Sequence, residues 1–225
     1  MRPPEPEALA NVLPVRAVVD SCVFPRVRKW LEPIILAAQT DVVVPLWSPL
    51  IISESNRLLT WLWLERHGGD LSDAGWRQCS DAAKKWFGRV SHVFQVVDDR
   101  PPPEPAWTDR PIDEWDTPIW TAAKRGGAHC IVTENLKDGP PPDANGLQQY
   151  EGIFFIHPDN FLRALDYLAD FYWSKGFVEL EDSPSRRAEP QNNPLETIND
   201  SWSRLNPDVR DWLSQLIKRK FGPQF

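Results

Sequence analysis

Between Asp113 and Asp138 the chain reads DEWDTPIWTAAKRGGAHCIVTENLKD, and no other stretch narrows the fold as far. Thr117-Pro118 opens a short helix, because the first helical turn needs no donor from proline. Ile119, Ala122 and Ala123 form its inward face. Lys124 and Arg125 fall in its last turn, where cations suit the helix dipole, and Gly126-Gly127 then permit positive φ. Ala128 to Val132 follows as an apolar run of the length of a buried strand. A helix feeding a buried strand belongs to an open α/β sheet, whose chemistry sits past the carboxyl ends of the strands. Asp116 at the helix start, and Asn135 with Asp138 past the strand, are therefore expected to face one crevice.

The rest of the chain repeats that alternation. Ala17-Val18-Val19 is a first strand ending at Asp20, followed by a helix from Arg26 to about Gln39 with a kink expected at Pro33. Val42 to Pro45 is a second strand, closed by its proline. Ser48 as N-cap and Pro49 just inside open a long helix to about His67, with Glu54 in its first turns. Gly68-Gly69 ends it, a further helix runs from Ser72 or Asp73 to near Gly88, and Val93 to Val97 is a third strand. Pro101, Pro102, Pro103 and Pro105 stiffen a surface loop between Asp98 and Arg110. After the focal strand comes a loop from Gly139 to Asp143, then a strand from Ile153 to Ile156. A helix from Pro158-Asp159 carries Leu162, Leu165, Leu168 and Phe171. Right-handed crossovers between such units predict an α/β fold with a central, mainly parallel sheet covered by helices on both faces.

A length of 225 residues suits one ordinary domain with an appendage. The predicted layout is a proline-rich, acidic leader over 1–14, a domain over 15–178, a linker over 179–194 and a helical C-terminal extension over 195–225. In that extension Trp202, Leu205, Trp212, Leu213, Leu216 and Ile217 recur at helical spacing, a face that docks on the chain's own domain or on a partner. Most of the 12 tryptophans are expected in packing roles. The net charge of −7 argues against nonspecific polyanion binding, which rests on phosphate neutralisation. It leaves room for an enzyme that recruits divalent cations to carboxylates, and it suits a basic protein partner. Cys22, Cys79 and Cys130 lack zinc or disulfide spacing, and the four histidines show no ligand spacing. No apolar run approaches the length of a membrane span, so the expectation is a cytoplasmic protein with no membrane association.

Four acidic positions stand near expected strand ends: Asp20, Glu54, Asp116 and Asp138, with Asn135 between the last two. Four segments carry them: Val18-Val19-Asp20-Ser21-Cys22-Val23-Phe24, Ser48-Pro49-Leu50-Ile51-Ile52-Ser53-Glu54, Asp116-Thr117-Pro118-Ile119-Trp120-Thr121-Ala122-Ala123 and Val132-Thr133-Glu134-Asn135-Leu136-Lys137-Asp138. In order and spacing, across about residues 16–173, they resemble the four motifs of the PIN-domain nucleases, a family that includes the VapC-type ribonuclease toxins. The resemblance implies a three-layer α/β/α fold and metal-dependent hydrolysis of RNA phosphodiester bonds with Mg²⁺ or Mn²⁺. It also implies a cognate antitoxin protein and a homodimer as partners. Carried onto this sequence, Asp20 and Asp116 bind the ion directly, Glu54 and Asp138 act directly or through water, and Asn135 fills the fourth acidic position. Two residues depart from the pattern. Cys22 stands where the family often has asparagine, and Asn135 lowers the site charge by one, with Asp138 three residues on as a substitute.

The chemistry explains why such residues would gather. In-line hydrolysis needs a nucleophilic water and a stabilised leaving oxygen, and a divalent ion serves both. Mg²⁺ takes oxygen ligands and keeps several waters, so a few carboxylates suffice. Without a cation, Asp20, Glu54 and Asp116 would repel one another. Lys124, Arg125 and Lys137 are candidate contacts to an RNA backbone. Cys22 and Asn135 motivate an alternative, a catalytically weakened PIN domain that acts as an RNA- or protein-binding module. A haloacid-dehalogenase-like phosphatase fits less well, because that class wants a second aspartate where Cys22 stands.

Overall fold

The computed structural model describes residues 13–69, 72–100, 116–144, 146–174, 202 and 205–221, of which 170–174 and 217–221 are described by backbone alone. The predicted leader up to residue 12, the proline loop over 101–115 and the predicted linker over 179–194 lie outside the described residues. Among the described residues six strands form one sheet: β1 (Val15–Val19), β2 (Val43–Trp47), β3 (Gln95–Val96), β4 (Cys130–Val132), β5 (Gln148–Tyr150) and β6 (Ile153–Ile156). Their order is β3-β2-β1-β4-β6-β5. All neighbouring pairs are parallel except β5 with β6. The helices are α1 (Glu32–Gln39), α2 (Pro49–Arg66), α3 (Asp73–Val90), α4 (Thr117–Arg125), α5 (Pro158–Ser174) and α6 (Pro207–Phe221). The fold is α/β with a mostly parallel sheet, as the sequence predicts.

Burial accounts for the strand composition. A parallel strand covered on both faces carries continuous apolar residues instead of an alternating pattern. Every residue of β4 and β6 is buried, and in β1 only Arg16 is partly exposed. Neighbouring residues of β6 serve opposite faces. Phe154 meets the Trp212 ring of α6, whereas Phe155 lines a cavity with Ile119 of α4.

Two prolines behave differently from the prediction, each for a backbone reason. Pro33 does not kink a helix; it falls in the first turn of α1, where its missing N–H is no loss. The irregularity lies upstream, in a 3₁₀ stretch over Ser21–Arg26 that contains Pro25 and a π-helical turn over Val27–Leu31. Pro45 does not close β2 but sits inside it, paired with Ala17 of β1. Val15 donates to the Val42 carbonyl and Val97 donates to the Trp47 carbonyl. By strand alternation, Pro45 therefore faces the β3 side, where β3 begins only opposite Leu46, so no ladder bond is lost. Gly88 lies inside α3 instead of ending it, and the predicted third strand shrinks to Gln95–Val96. The sequence reading missed β5 altogether, since QQY carries no apolar signal.

The described part of the C-terminal segment packs on the domain. Trp202, Leu205, Val209, Trp212, Leu213 and Leu216 are buried in the same core as the sheet. Trp212 meets Phe161 as well as Phe154, and Trp202 meets Tyr167. Large-to-small changes at such sites cost the lost burial plus a cavity. Trp212→Ala is expected to destabilise the whole domain by about 3–5 kcal/mol in urea unfolding. A cost below about 1 kcal/mol would mean that α6 does not belong to the core.

Candidate functional site

The sheet reverses its direction of growth at one place. From β1 the chain steps outward to β2 and β3, then crosses back to β4 on the other side of β1 and continues to β6. The switch point therefore lies between β1 and β4, and in open α/β sheets the crevice past such a point is where ligands bind. Asp20 follows β1 there, and Thr133 follows β4. The Asp20 amide donates to the Val132 carbonyl at 3.0 Å, which carries the β1–β4 ladder to the rim of the sheet.

Asp20 is a buried carboxylate, 7% exposed, and its oxygens are fully engaged. Oδ1 accepts from the Ser21 amide at 2.6 Å and from Ser21 Oγ at 3.3 Å. Oδ2 accepts from Thr133 Oγ1 at 2.6 Å and from Cys22 Sγ at 3.1 Å. Thr133 Oγ1 in turn accepts from the Asn135 amide at 3.0 Å, and Cys22 Sγ accepts from the Glu134 amide at 3.2 Å. Burial, and then the charge of Asp20, push the Cys22 thiol up to about 12. It stays protonated at neutral pH and serves as a donor, not as a nucleophile. Cys22 thus supplies a neutral hydrogen bond to Asp20 and joins β1 to the loop after β4. Its bare position in the sequence gave no hint of that role.

Asp116 reaches the same place from above. It is half-buried at the N-terminus of α4, but its side chain makes no capping bond to that helix. With Asp20, Thr133 and Asn135 it lines a small, solvent-open cleft whose other walls are Ile119, Ile131 and Phe155. Asp20, Asp116 and Asn135 are therefore brought together, as expected.

Glu54 and Asp138 are not walls of that cavity. Glu54 is half-buried in the second turn of α2, a helix that packs on the 3₁₀ stretch Asp20 caps. Asp138 is exposed and accepts from Asn135 Nδ2 at 2.6 Å. That bond turns the nitrogen of Asn135 toward Asp138 and leaves Oδ1 as the amide's acceptor. Asp138 thereby orients Asn135. Among the described residues no three of His, Cys, Asp and Glu stand close enough to hold a metal ion by themselves. The cavity instead offers two carboxylates and one amide. Such hard oxygen donors fit Mg²⁺ or Mn²⁺, since Mg²⁺ needs only one or two protein carboxylates. A cation on Asp20 would have to replace one of its two longest contacts, Ser21 Oγ or Cys22 Sγ.

The basic residues sort differently from the expectation. The His129 amide donates to the Arg16 carbonyl, so the chain leaves α4 level with the start of β1, away from Asp20. Lys124 pairs with Glu151 at 2.7 Å, and Arg125 pairs with Asp98. Hydrogen bonds from Arg100, with the Arg125 charge adding, hold the Asp98 carboxyl down at about 2. Helix geometry thus removes Lys124 and Arg125 from the crevice, and Lys137 stays on the cavity loop. Asp99, which the sequence reading passed over, is buried and accepts from the Leu50 amide at 2.8 Å, anchoring the start of α2. No family model, curated protein or solved structure matches this chain.

Two outcomes follow from the Asp20 network. Thr133→Val removes a buried donor to a carboxylate and is expected to cost about 1–3 kcal/mol in urea unfolding; an unchanged midpoint would show that the bond carries no stability. A thiol raised from 9.0 to about 12 is almost never a thiolate at pH 8. Cys22, followed by mass spectrometry, is expected to react with a disulfide reagent at least about 100-fold more slowly in the native protein than in urea. The native rate should climb with pH well past 9; fast labelling at pH 8 would contradict the assignment.

Proposed function

We propose that the chain is a PIN-type, metal-dependent endoribonuclease. The observation that carries the reading is the meeting of Asp20, Asp116 and Asn135 in one cavity at the β1–β4 switch point. The sequence separates these residues by 96 and 19 positions, so their meeting is a property of the fold. Asp20 and Asp116 would hold Mg²⁺ or Mn²⁺, with the amide oxygen of Asn135 beside them. When bound, such an ion lowers the pKa of a coordinated water and offsets charge on the phosphoryl group.

The chain's own residues supply the rest. Thr133 and the Ser21 amide hold the Asp20 carboxylate in one orientation. Asp138 fixes the amide of Asn135. Ile119, Ile131 and Phe155 keep the floor of the cavity apolar, which strengthens electrostatic contacts inside it. Lys137, exposed on the cavity loop, is the cation best placed along the chain to meet a phosphate. Glu54 belongs to this proposal as a contributor through water. A toxin role, a cognate antitoxin, a homodimer and a cytoplasmic site of action rest on the resemblance alone; no described helix is long and apolar enough to cross a membrane.

Two residues favour a second reading, a non-catalytic PIN-type module that binds RNA or protein: Cys22, a neutral thiol beside Asp20, and Asn135, an amide at the fourth acidic position. A single experiment separates the two. Purified protein is incubated with a mixed RNA pool in Mg²⁺, in Mn²⁺ and with chelator, beside Asp116→Asn. The nuclease reading expects cleavage that requires the ion and falls by at least about 100-fold in the variant. Cleavage indifferent to chelator or to the variant would overturn it. RNA binding without cleavage in either ion would favour the module, and Asn135→Asp would then test whether the missing charge is the cause.

A further inference from the structure

A second and larger cavity opens on the same rim of the sheet, beside β6. It has room for about 90 Å³ and is open to solvent, between the ends of β6 and β5 and the helices α5 and α6. Its walls are aromatic and amide-bearing: Phe154, His157 and Trp212 on one hand, Gln148 and Asn160 on the other, with Asp208 at the mouth. Among the described residues no Lys or Arg lines it. A planar, uncharged heteroaromatic group suits such walls, and an anion does not.

The polar atoms are already oriented. Gln148 Nε2 donates to the carbonyls of Leu136 at 2.6 Å and Pro140 at 2.8 Å, leaving Oε1 as the acceptor of that side chain. Asn160 Oδ1 accepts from Asn206 Nδ2 at 3.0 Å, leaving Nδ2 as its donor. Trp212 is 1% exposed, and its buried Nε1 has no acceptor among the described residues. That N–H is closed off from the cavity, so the reachable polar atoms are Gln148 Oε1 and Asn160 Nδ2. A donor and an acceptor held apart on an aromatic-walled slot match the edge of a nucleobase.

The two cavities are neighbours. Phe155 is a wall of both, and Leu136, which lines the larger one, directly follows Asn135 of the smaller. β6 lies next to β4, one strand spacing of about 4.8 Å away. A phosphate at the Asp20–Asp116 cavity would place its own ribose and base toward the second cavity. We propose that this cavity seats the base of the nucleotide adjoining the scissile phosphate, which makes the protein a base-selective enzyme for single-stranded RNA. The inference rests on the nuclease reading and adds the substrate feature that reading lacks.

The test is calorimetric binding of AMP, GMP, CMP, UMP and inorganic phosphate to the full chain in Mg²⁺, beside sequencing of the RNA cleavage ends. One nucleotide is expected to bind about tenfold or more tightly than the other three and than phosphate, and its base to recur at the cleavage ends. Asn160→Asp keeps the size and the acceptor for Asn206 but replaces the donor, and should bring the four affinities within about threefold of one another. Gln148→Met removes the acceptor Oε1 and should weaken the preferred nucleotide while leaving thermal unfolding cooperative. Equal binding of all four nucleotides, or a preference that survives both variants, would overturn the base pocket even if metal-dependent cleavage persists. Selective binding that both variants abolish, in a protein that cuts no RNA, would support the pocket while sinking the nuclease.

Discussion

The carboxylate of Asp20 is the constraint from which the site is built. A buried carboxylate must be hydrogen-bonded on nearly every lone pair, because an unpaired charge away from water costs far more than the fold has to spare. Here the donors come from two places that are distant in sequence: the turn just after β1 and the loop just after β4. Satisfying Asp20 therefore fixes the spacing of the two central strands at their carboxyl ends. Thr133 passes the restraint on to the Asn135 amide, and Asn135 passes it to Asp138. One charge thus ties all of these partners together.

The same requirement explains why cysteine is acceptable beside this aspartate. A donor at that position must stay neutral, since a second anion would leave Asp20 repelled as well as buried. The thiol meets the condition because burial and the Asp20 charge both resist its ionisation. It also has an acceptor face, which the Glu134 amide uses. A single sulfur thus links two segments of chain, at the price of a weaker bond than an amide would give.

The parts of this architecture that were legible in the sequence are those set by local chemistry. Ser48 with Pro49 marks the start of α2, the IFFI run marks β6, and Thr117-Pro118 with Gly126-Gly127 brackets α4. Asp20, Asp116 and Asn135 could be assigned to one crevice because an open parallel sheet gathers its strand ends. What could not be read depends on partners far along the chain. Pro45 looked like a strand terminator, since nothing local says that β3 starts one residue too late to need its N–H. The bond between Asn135 and Asp138 has no local signal, since only the folded loop turns the two side chains together. β5 has no apolar pattern and exists through its pairing with β6.

Acidic composition alone would also have misled, because most of the acids near the sheet serve the fold. Asp99 anchors the first turn of α2, Asp159 accepts from the Trp30 indole at 2.6 Å, Asp98 gathers Arg100 and Arg125, and Glu151 holds Lys124. Each of these acids is committed to a partner elsewhere on the fold, an amide, an indole or a cation. Asp20 and Asp116 differ in kind. One is buried among neutral donors that leave its charge uncompensated, and the other is not used to cap the helix it precedes. Two carboxylates facing one cavity, with the Asn135 amide beside them and an apolar floor, create a local field that the net charge of −7 does not describe. That field, and not the count of acids, is what would draw a cation to the β1–β4 rim.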